Sequence, residues 1–375
     1  MTIISITDVD LFDGVGIKHV RNQCFQASPG NVLEPKSSPD VVIDGSGCTL
    51  MPGLIDCKVD IDACPMALPS FAACGVTTVI DLVSTSAENQ AMRRESRHPK
   101  MPSYLGCGCV LRPETVASEG LFSFRAVRVV RTPAEATRLV EELIADPARA
   151  DYINAIADQP GLDSDTLEAT VAAAHRHGKL AIAHASQTKA YDAALLAGFD
   201  IVTAVPVDGP LGEEMAQGFA QRGIAVVPTL CFVQKALQDE TTRNGRNFGH
   251  AVAAVKQLYS AGVCICAGTA AYQHRSTGIP FGTSLLDELE LLSRAGLSNL
   301  DALRSATFVP ASVFRLHDRG SVDRGKRADL VLVYGSPLSD LNAMRRIRQA
   351  WIEGVEVQVE MKLEVKAEAE AESKG

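Results

Sequence analysis

The chain has 375 residues, an apolar fraction of 46%, a charged fraction of 22% and a net charge of −9, with a pI near 5.4. This length suffices for one large α/β domain and a small companion, and the composition is ordinary for a soluble globular enzyme. The acidic charge and the lack of a basic run argue against nucleic acid or an anionic membrane as the main partner. No run reaches the ~20 apolar residues of a membrane span. We expect no secretory leader, because the first residues read as a strand without a basic start.

Ten cysteines occur in the chain, and two pairs have the spacing Cys-x-Cys: Cys107/Cys109 and Cys264/Cys266. Dense disulfide frameworks belong to short secreted domains, and neither pair has the Cys-x-x-Cys spacing of zinc knuckles. Reduced thiols in core strands are therefore expected. That expectation places the protein in the cytoplasm.

The first fifty residues contain short β-like runs. Residues 3–10 and 41–45 are rich in Ile and Val, and Asp13-Gly14-Val15-Gly16 predicts a turn after the first run. Residues 20–40 contain two Ser- and Pro-rich clusters and are predicted to be loop.

From residue 52 onward, apolar strands alternate with helices rich in Ala and Leu, which is the pattern of a parallel α/β sheet. The predicted strands are 53–58, 77–82, 104–110, 152–156, 180–184, 201–205, 225–229 and 263–268. The predicted helices are 165–177, 188–197, 249–261, 284–295 and 299–307. Eight strands with helices between them predict a (β/α)8 barrel of the TIM type. A doubly wound open sheet is the competing topology, but no Gly-x-Gly-x-x-Gly turn follows any strand.

One stretch, MPGLID at residues 51–56, leads directly into Cys57, Lys58, Val59 and Asp60. In an extended strand Lys58 and Asp60 share a face, because alternate side chains point the same way. This stretch resembles the first barrel strand of the amidohydrolase superfamily, where MPGLID precedes His-x-His. Further similar motifs follow in the family's order: GVTTVID (75–81), DYIN (151–154), AHA (183–185), AVVPTL (225–230), AGT (267–269) and ADLVLV (328–333).

The resemblance covers nearly the whole chain and is closest to the imidazolonepropionase-like and prolidase-like branch. It implies a barrel accompanied by a small β-sandwich that both chain ends build. We therefore expect residues 1–50 and 319–360 to form the small β-domain and residues 51–318 to form the barrel. Residues 361–375 are a charged Ala/Glu tail that is expected to be disordered.

The resemblance also implies a metal site at the carboxyl ends of the strands. In the family, two strand-1 histidines, a strand-4 lysine, histidines from strands 5 and 6 and a strand-8 aspartate hold one or two metals that activate water. The matching positions here are Lys58, Asp60, Asn154, His184, Ala204 and Ala270, of which only His184 keeps the family's residue. An ammonium at Lys58 repels a dication, and a metal such as zinc needs three or four ligands. We therefore predict no metal and no cofactor.

Lys58, Asp60 and His184 are the predicted catalytic residues. Lys58 has two compatible interpretations: an ion pair with Asp60 that fills the space of the metal, or an acid/base, oxyanion-stabilising or Schiff-base lysine. Asp60 would keep Lys58 charged, act as a base, or serve only as a structural partner. His184 has an ordinary pKa that suits general acid–base catalysis near neutral pH.

The predicted substrate-binding residues lie around this centre. Asn154 would orient a carbonyl or satisfy its neighbours as a buried amide, and Asp81 would bind substrate or act as a structural acid. Tyr272, His274 and Arg275 belong to the polar loop after the eighth strand and would bind an acidic or phenolic substrate, unless they serve only solubility.

Three functions from different classes remain open. The preferred one is metal-independent acid/base chemistry, of the lyase, isomerase, dehydratase, cyclisation or condensation type, on a small carbonyl compound such as a secondary metabolite. The second is metal-dependent hydrolysis of a cyclic amide, lactone or peptide-like bond at a rebuilt site. The third is a non-catalytic protein that binds a small molecule. The sequence leaves oligomeric state open and cannot name the substrate, because fold does not fix function.

Overall fold

The computed structural model describes residues 2–27, 30–34, 38–62, 64–114, 126–146, 150–273 and 278–359. Within these ranges, strands and helices alternate through most of the chain and form a mixed α/β fold, as the sequence predicts. No helix in these ranges has both the length and the apolar composition needed to cross a membrane. The predicted disordered tail, residues 361–375, lies outside the described residues.

The strands are β1 (Thr2–Phe12), β2 (Ile17–Ala27), β3 (Val32–Leu33), β4 (Val41–Asp44), β5 (Cys48–Pro52), β6 (Leu54–Asp60), β7 (Val76–Asp81), β8 (Ser103–Gly106), β9 (Val110–Arg112), β10 (Val127–Val129), β11 (Ile153–Ile156), β12 (Ala181–His184), β13 (Ile201–Thr203), β14 (Ala225–Val227), β15 (Ala271–Tyr272), β16 (Leu330–Tyr334), β17 (Ile347–Ile352) and β18 (Val355–Val357).

The α-helices are α1 (Ala67–Ala73), α2 (Ser86–Glu95), α3 (Pro133–Ala145), α4 (Ser164–Arg176), α5 (Thr188–Ala197), α6 (Glu213–Arg222), α7 (Leu230–Ala236), α8 (Glu240–Arg243), α9 (Phe248–Ser260), α10 (Thr283–Arg294), α11 (Asn299–Ser305) and α12 (Phe308–Val313). A short 3-10 helix spans Leu341–Arg345.

Both chain ends contribute to one sheet. It has eight strands in the order β18-β17-β16-β5-β1-β2-β3, with β4 paired to β1. Strand β5 joins the two ends, because it pairs in parallel with β1 and antiparallel with β16. The rings of Phe25 and Trp351 meet in its core with their centroids 5.1 Å apart. The predicted two-layered sandwich and the domain boundaries stay predictions.

The prediction of loop over residues 20–40 is wrong for a large part of that range. Strand β2 pairs antiparallel with β1 along its whole length, and β3 pairs with the end of β2. Only Gln23, Cys24 and Phe25 of β2 are buried, and the other residues of the strand are exposed or half-buried. A strand that is exposed or half-buried along most of its length tolerates many polar residues, so its composition resembles that of a loop.

The parallel strands form two sheets. One has the order β15-β6-β7-β8, and the other has the order β10-β9-β11-β12-β13-β14. Backbone hydrogen bonds also connect residues 264–270 to both sheets: Ile265 bridges to Val226 of β14, and Cys57 of β6 donates its N–H to the carbonyl of Ala267 at 3.0 Å. The α/β class is confirmed, whereas closure into one eight-stranded barrel stays a prediction.

Two predicted strands differ from the observed ones. The strand predicted over residues 104–110 is divided into β8 and β9, because Gly108 takes a left-handed backbone with φ +77° that an extended strand does not contain. Residues 263–268 form a single bridge in place of a full strand. The remaining six predicted strands occur with small shifts at their ends.

Local sequence signals explain where the helices begin and end. The Asp163 carboxylate accepts the N–H of Thr166 at 2.8 Å and so caps α4. The helix begins at Ser164, one residue before the predicted start. Helix α5 has the predicted bounds and ends at Gly198, whose φ of +80° is the left-handed conformation that glycine adopts readily. Behind the sheets, Tyr191 and Phe219 stack with their centroids 4.9 Å apart.

Candidate active site

Three of the predicted site residues lie at or near the carboxyl ends of parallel strands, and a fourth, Asn154, lies inside one. Lys58 is near the end of β6, Asp81 ends β7, Asn154 lies in β11 and His184 ends β12. All four side chains are buried, with exposures of 1–2%. In α/β proteins ligands bind outside the carboxyl ends of parallel strands, so these residues occupy the edge where chemistry is expected.

Lys58 and His184 are in contact. The Nζ atom of Lys58 lies 3.3 Å from Nδ1 of His184, and the hydroxyl of Thr203 lies 3.3 Å from the same nitrogen. An ammonium can only donate, so a charged Lys58 requires Nδ1 to be the acceptor and places the imidazole proton on Nε2. The two strands β6 and β12 therefore deliver an amine and an imidazole as one hydrogen-bonded pair.

Asp158 is a further member of this centre that the sequence reasoning missed. Its Oδ2 lies 3.6 Å from Nε2 of His184, on the opposite side of the ring from Lys58. Ser186 donates its N–H to Oδ1 and its hydroxyl to Oδ2, both at 2.6 Å. The Asp158 side chain is 19% exposed, so water reaches the centre from this side. Its place just after β11 is the sequence signal that could have identified it.

Burial brings the pKa values of Lys58 and Asp158 close together and lowers that of His184. Desolvation lowers the pKa of Lys58 to about 7, against the opposing charges of Asp158 and Asp60. Desolvation raises the pKa of Asp158 to about 6, against the hydrogen bonds from Ser186. Burial, and then the charge of Lys58, lower the pKa of His184 well below its ordinary value. The imidazole is therefore neutral at pH 7.

Asp60 lies two residues beyond Lys58 at the end of β6 and is half-buried. Its charge raises the pKa of Lys58 and also that of Asp81. Asp60 is thus electrostatically coupled to both neighbouring strand ends. Its predicted catalytic role stays a prediction.

The Asp81 carboxylate has several protein donors. It accepts the N–H of Val83 at 3.0 Å, the N–H of Ile61 at 3.4 Å and the hydroxyl of Tyr104 at 3.2 Å. Desolvation, followed by the charge of Asp60, raises its pKa to about 7. These contacts fit a structural acid that ties β7 to the segment after β6, and substrate binding by Asp81 stays a prediction.

Asn154 offers one acceptor to the site. Its Nδ2 donates to the carbonyl of Leu82 at 2.8 Å, whereas Oδ1 is buried and has no hydrogen-bond partner among the described residues. Tyr272 lies on β15 beside β6, and its ring centroid is 6.1 Å from that of Phe232. The predicted binding residues His274 and Arg275 lie outside the described residues.

A buried carboxylate fixes the strand that presents Lys58. Asp56 accepts the N–H of Thr269 at 3.0 Å and its hydroxyl at 2.7 Å. Next to Thr269, a Cβ added to Gly268 would meet the backbone nitrogen of Lys58 at 2.9 Å and Val227 at 2.4 Å. Residues 268–269 therefore pack directly on β6, and only glycine allows this approach at position 268.

Comparison with known proteins decides the family. A sequence model of the amidohydrolase family matches residues 63–357. The chain belongs to the amidohydrolase family. The match begins just after Asp60, so the assignment does not depend on the strand that contains Lys58. None of the curated protein sequences matches the chain.

Solved structures share the overall architecture of this amidohydrolase-family chain. A putative prolidase from Bifidobacterium longum is 22% identical with a TM-score of 0.80, over 99% of this chain and 98% of that one. A Xaa-Pro dipeptidase with bound methionine in its active site is 18% identical with a TM-score of 0.78, over 95% and 99%. Ochratoxinase from A. niger is 19% identical with a TM-score of 0.78, over 96% of each chain. At these identities the likeness shows the fold alone.

The side chains of this amidohydrolase-family site do not fit the family's metal. Beside His184, the positions that the resemblance matches to metal ligands carry an amine, a carboxylate, an amide and two methyl groups: Lys58, Asp60, Asn154, Ala204 and Ala270. Within the described ranges, no three His, Cys, Asp or Glu side chains are grouped so that they could hold a metal ion. Such a site needs three or four converging ligands.

Proposed function

We propose that the chain is an enzyme that performs acid–base chemistry on a small carbonyl compound without a metal, with Lys58, His184 and Asp158 at its centre. The contact between Lys58 and His184, with 3.3 Å from Nζ to Nδ1, carries this proposal. It places an amine and an imidazole together in a buried site, where desolvation brings the Lys58 pKa to about 7. A catalytic acid or base works best with a pKa near the working pH.

In this mechanism neutral Lys58 accepts a proton from the substrate at Nζ. The ammonium that forms then stabilises the enolate or alkoxide beside it, and such stabilisation is strong in a site that excludes water. His184 holds Nζ through Nδ1 and directs its Nε2 proton at Asp158. Asp158 stabilises the imidazole in that tautomer and, with a side chain that is 19% exposed, offers the exit for the proton. Proton removal of this kind is common to lyase, isomerase, dehydratase, cyclisation and condensation reactions.

Hydrolysis of a peptide-like or cyclic amide bond is the second candidate. It is supported by the solved structures of similar fold, which include a Xaa-Pro dipeptidase, a putative prolidase and an ochratoxinase. Retention of a histidine at position 184 also agrees with it. This candidate requires a metal bound by a different set of ligands.

We also propose that the two parallel sheets are parts of one (β/α)8 barrel over residues 51–318. The hydrogen bonds that residues 264–270 make to β14 and to β6 support this proposal. In that arrangement Lys58, His184 and Asp158 surround one mouth, as active-site residues do in barrel enzymes.

One set of assays separates these candidates. Purified protein is incubated with small ketones, β-keto esters and lactones in deuterated buffer, and proton NMR follows exchange of the α-protons. Parallel samples receive Xaa-Pro dipeptides and N-acyl amino acids, with added zinc or manganese or with a chelator. Exchange that survives the chelator and is lost in Lys58→Met supports the proposal.

Metal-stimulated hydrolysis that survives Lys58→Met would replace the proposal with the second candidate. Binding of a panel compound without any turnover would favour a non-catalytic binding protein. Zinc and manganese are quantified in the same preparation, so that turnover is compared with bound metal.

A further inference from the structure

We propose that Lys58 forms an imine with a free aldehyde or ketone group of the substrate, so that the site takes carbonyl compounds in preference to amides or esters. This inference rests on the proposed function and names its covalent step. It goes beyond proton transfer because the amine becomes bonded to the substrate carbon.

The surroundings of Lys58 favour a nucleophilic amine. Its side chain is 2% exposed, and its neighbours along the strand, Cys57 and Val59, are fully buried apolar residues. Burial disfavours the ammonium form, and desolvated lysines are the ones that form Schiff bases. Lys189 and Lys256, by contrast, are exposed on helices.

The groups around Nζ supply the proton transfers that imine formation requires. Nζ adds to the carbonyl carbon, a C–N bond forms, and the proton lost from nitrogen moves to the oxygen to give a carbinolamine. The carbinolamine hydroxyl then takes a further proton, supplied from solvent by way of Asp158 and His184, and leaves as water to give the iminium ion, and water later reverses both steps. His184 at 3.3 Å from Nζ is placed to move these protons, and Asp158 at 3.6 Å from Nε2 is placed to exchange them with solvent.

The imine also suggests what the buried acceptor of Asn154 would bind. A protonated iminium withdraws electrons from the adjacent carbon, so that a base removes its proton more easily than from the free ketone. The acceptor Oδ1 of Asn154, buried and without a partner among the described residues, would accept a hydrogen bond from a hydroxyl or amine of the substrate. The substrate class is therefore a small aldehyde or ketone that carries a hydrogen-bond donor.

The test uses the full-length protein and acetylacetone, a diketone that condenses with neutral lysine amines and loses one water. Labelled lysines are identified by peptide mass spectrometry during a time course near pH 7.5, where an exposed lysine is only about 0.1% neutral. We expect Lys58 to be modified more than about tenfold faster than Lys189 and Lys256, because burial keeps more of its amine neutral. Modification of the two exposed lysines with Lys58 left intact would overturn the inference.

Two variants test whether labelling by acetylacetone depends on Lys58 and on Asp158. Lys58→Arg keeps a cation but cannot form the imine, so the fast label should disappear. Asp158→Asn should slow labelling and shift its pH profile, while the exposed lysines react as before. An unchanged rate and pH profile in Asp158→Asn would remove Asp158 from the step.

Failure of imine formation can be distinguished from failure of the proposed acid–base function. If the wild-type protein exchanges α-protons in a Lys58-dependent manner but acetylacetone does not modify Lys58, the imine is refuted and acid–base catalysis stands. If Lys58 is modified but Lys58→Met exchanges α-protons like the wild type, the proposed function is refuted.

Discussion

Asp158 and Lys58 flank the imidazole of His184 from opposite sides. Nδ1 lies 3.3 Å from the amine of Lys58, and Nε2 lies 3.6 Å from the carboxylate of Asp158. The three side chains come from or just after three different strands, β6, β11 and β12. They are the three groups to which the proposed function assigns acid–base roles.

Lys58→Met removes the amine but keeps an unbranched apolar chain of similar length to the aliphatic part of lysine. We expect turnover to fall by about 10²–10⁴-fold, the usual contribution of a positioned acid or base. The α-proton exchange assay measures this loss, and circular dichroism checks that the variant is folded. Lys189→Met is the matched control, since Lys189 is exposed on α5 and should be neutral. Equal turnover in the two variants would exclude Lys58 from catalysis.

Ser186→Ala should move the acid limb of the pH–rate profile. The pKa of Asp158 is about 6, raised by desolvation and held down by the hydrogen bonds from Ser186. The mechanism needs both a neutral Lys58 and an ionised Asp158, so wild-type activity should fall as the pH drops through about 7, the pKa of Lys58, and fall more steeply through about 6, the pKa of Asp158. Removing the Ser186 hydroxyl weakens the ionised form, and the limb should shift to higher pH.

The pH–rate profile of Asp158→Asn complements that of Ser186→Ala. Asp158→Asn cannot ionise at position 158, so its activity should be lower and the steeper fall near pH 6 should be absent, while the fall that comes from protonation of Lys58 stays. A steeper fall near pH 6 that stays in place in both variants would show that another group controls it.

Asp56 should make the protein more stable in mild acid than at neutral pH. Its pKa is about 7 in the fold because of desolvation, against about 3.9 in an unfolded chain. Between these values the folded state binds a proton that the unfolded state lacks, so the stabilisation is complete below about pH 4 and is lost as the pH rises through about 7.

The loss appears as a fall in the free energy of unfolding, measured with urea between about pH 4.5 and 7.5. In Asp56→Asn the side chain at position 56 cannot titrate. The free energy of unfolding of this variant should therefore fall less over this pH range than that of the wild type, by at least ~1 kcal/mol. Asp81 and Glu288, which are shifted in the same direction, remain in the variant and cancel in the comparison. Asp192→Asn, an exposed residue of α5, should behave like the wild type. Identical falls in both variants would contradict the assignment.

A zinc site should be restorable at the strand ends. Ala204 and Ala270 have left-handed backbones with φ of 69° and 51°, a conformation in which His and Asp are enriched among non-glycine residues. The combined variant Lys58→His, Asp60→His, Ala204→His and Ala270→Asp therefore matches the backbone already present. Together with His184 these residues provide more than the three or four ligands that zinc needs.

We expect the combined variant to retain one more zinc ion per chain than the wild type after gel filtration, by elemental analysis. Adding His184→Gln to it should weaken that binding, since His184 would be one of the ligands. Equal zinc in the combined variant and the wild type would show that these positions no longer converge.

The local sequence was enough to place Lys58, Asp81 and His184 at or near strand ends and Asn154 inside a strand. The apolar runs and the glycines that end helices are short-range signals, and parallel strands align their carboxyl ends. The same signals failed for β2, because a strand that is mostly exposed or half-buried has the composition of a loop. They also failed at Gly108, where the conformation of one residue divides a run into two strands.

Tertiary structure decided which of these groups touch and how they are charged. No sequence spacing indicates that Asp158 faces His184, or that Thr269 donates twice to Asp56, since each pair belongs to segments distant in the chain. The shifts in the pKa values of Lys58 and Asp158 arise from desolvation, which depends on every element packed around a group. Periodicity along the chain determines which way a side chain points, but only the packed fold determines what it meets and how much water remains beside it.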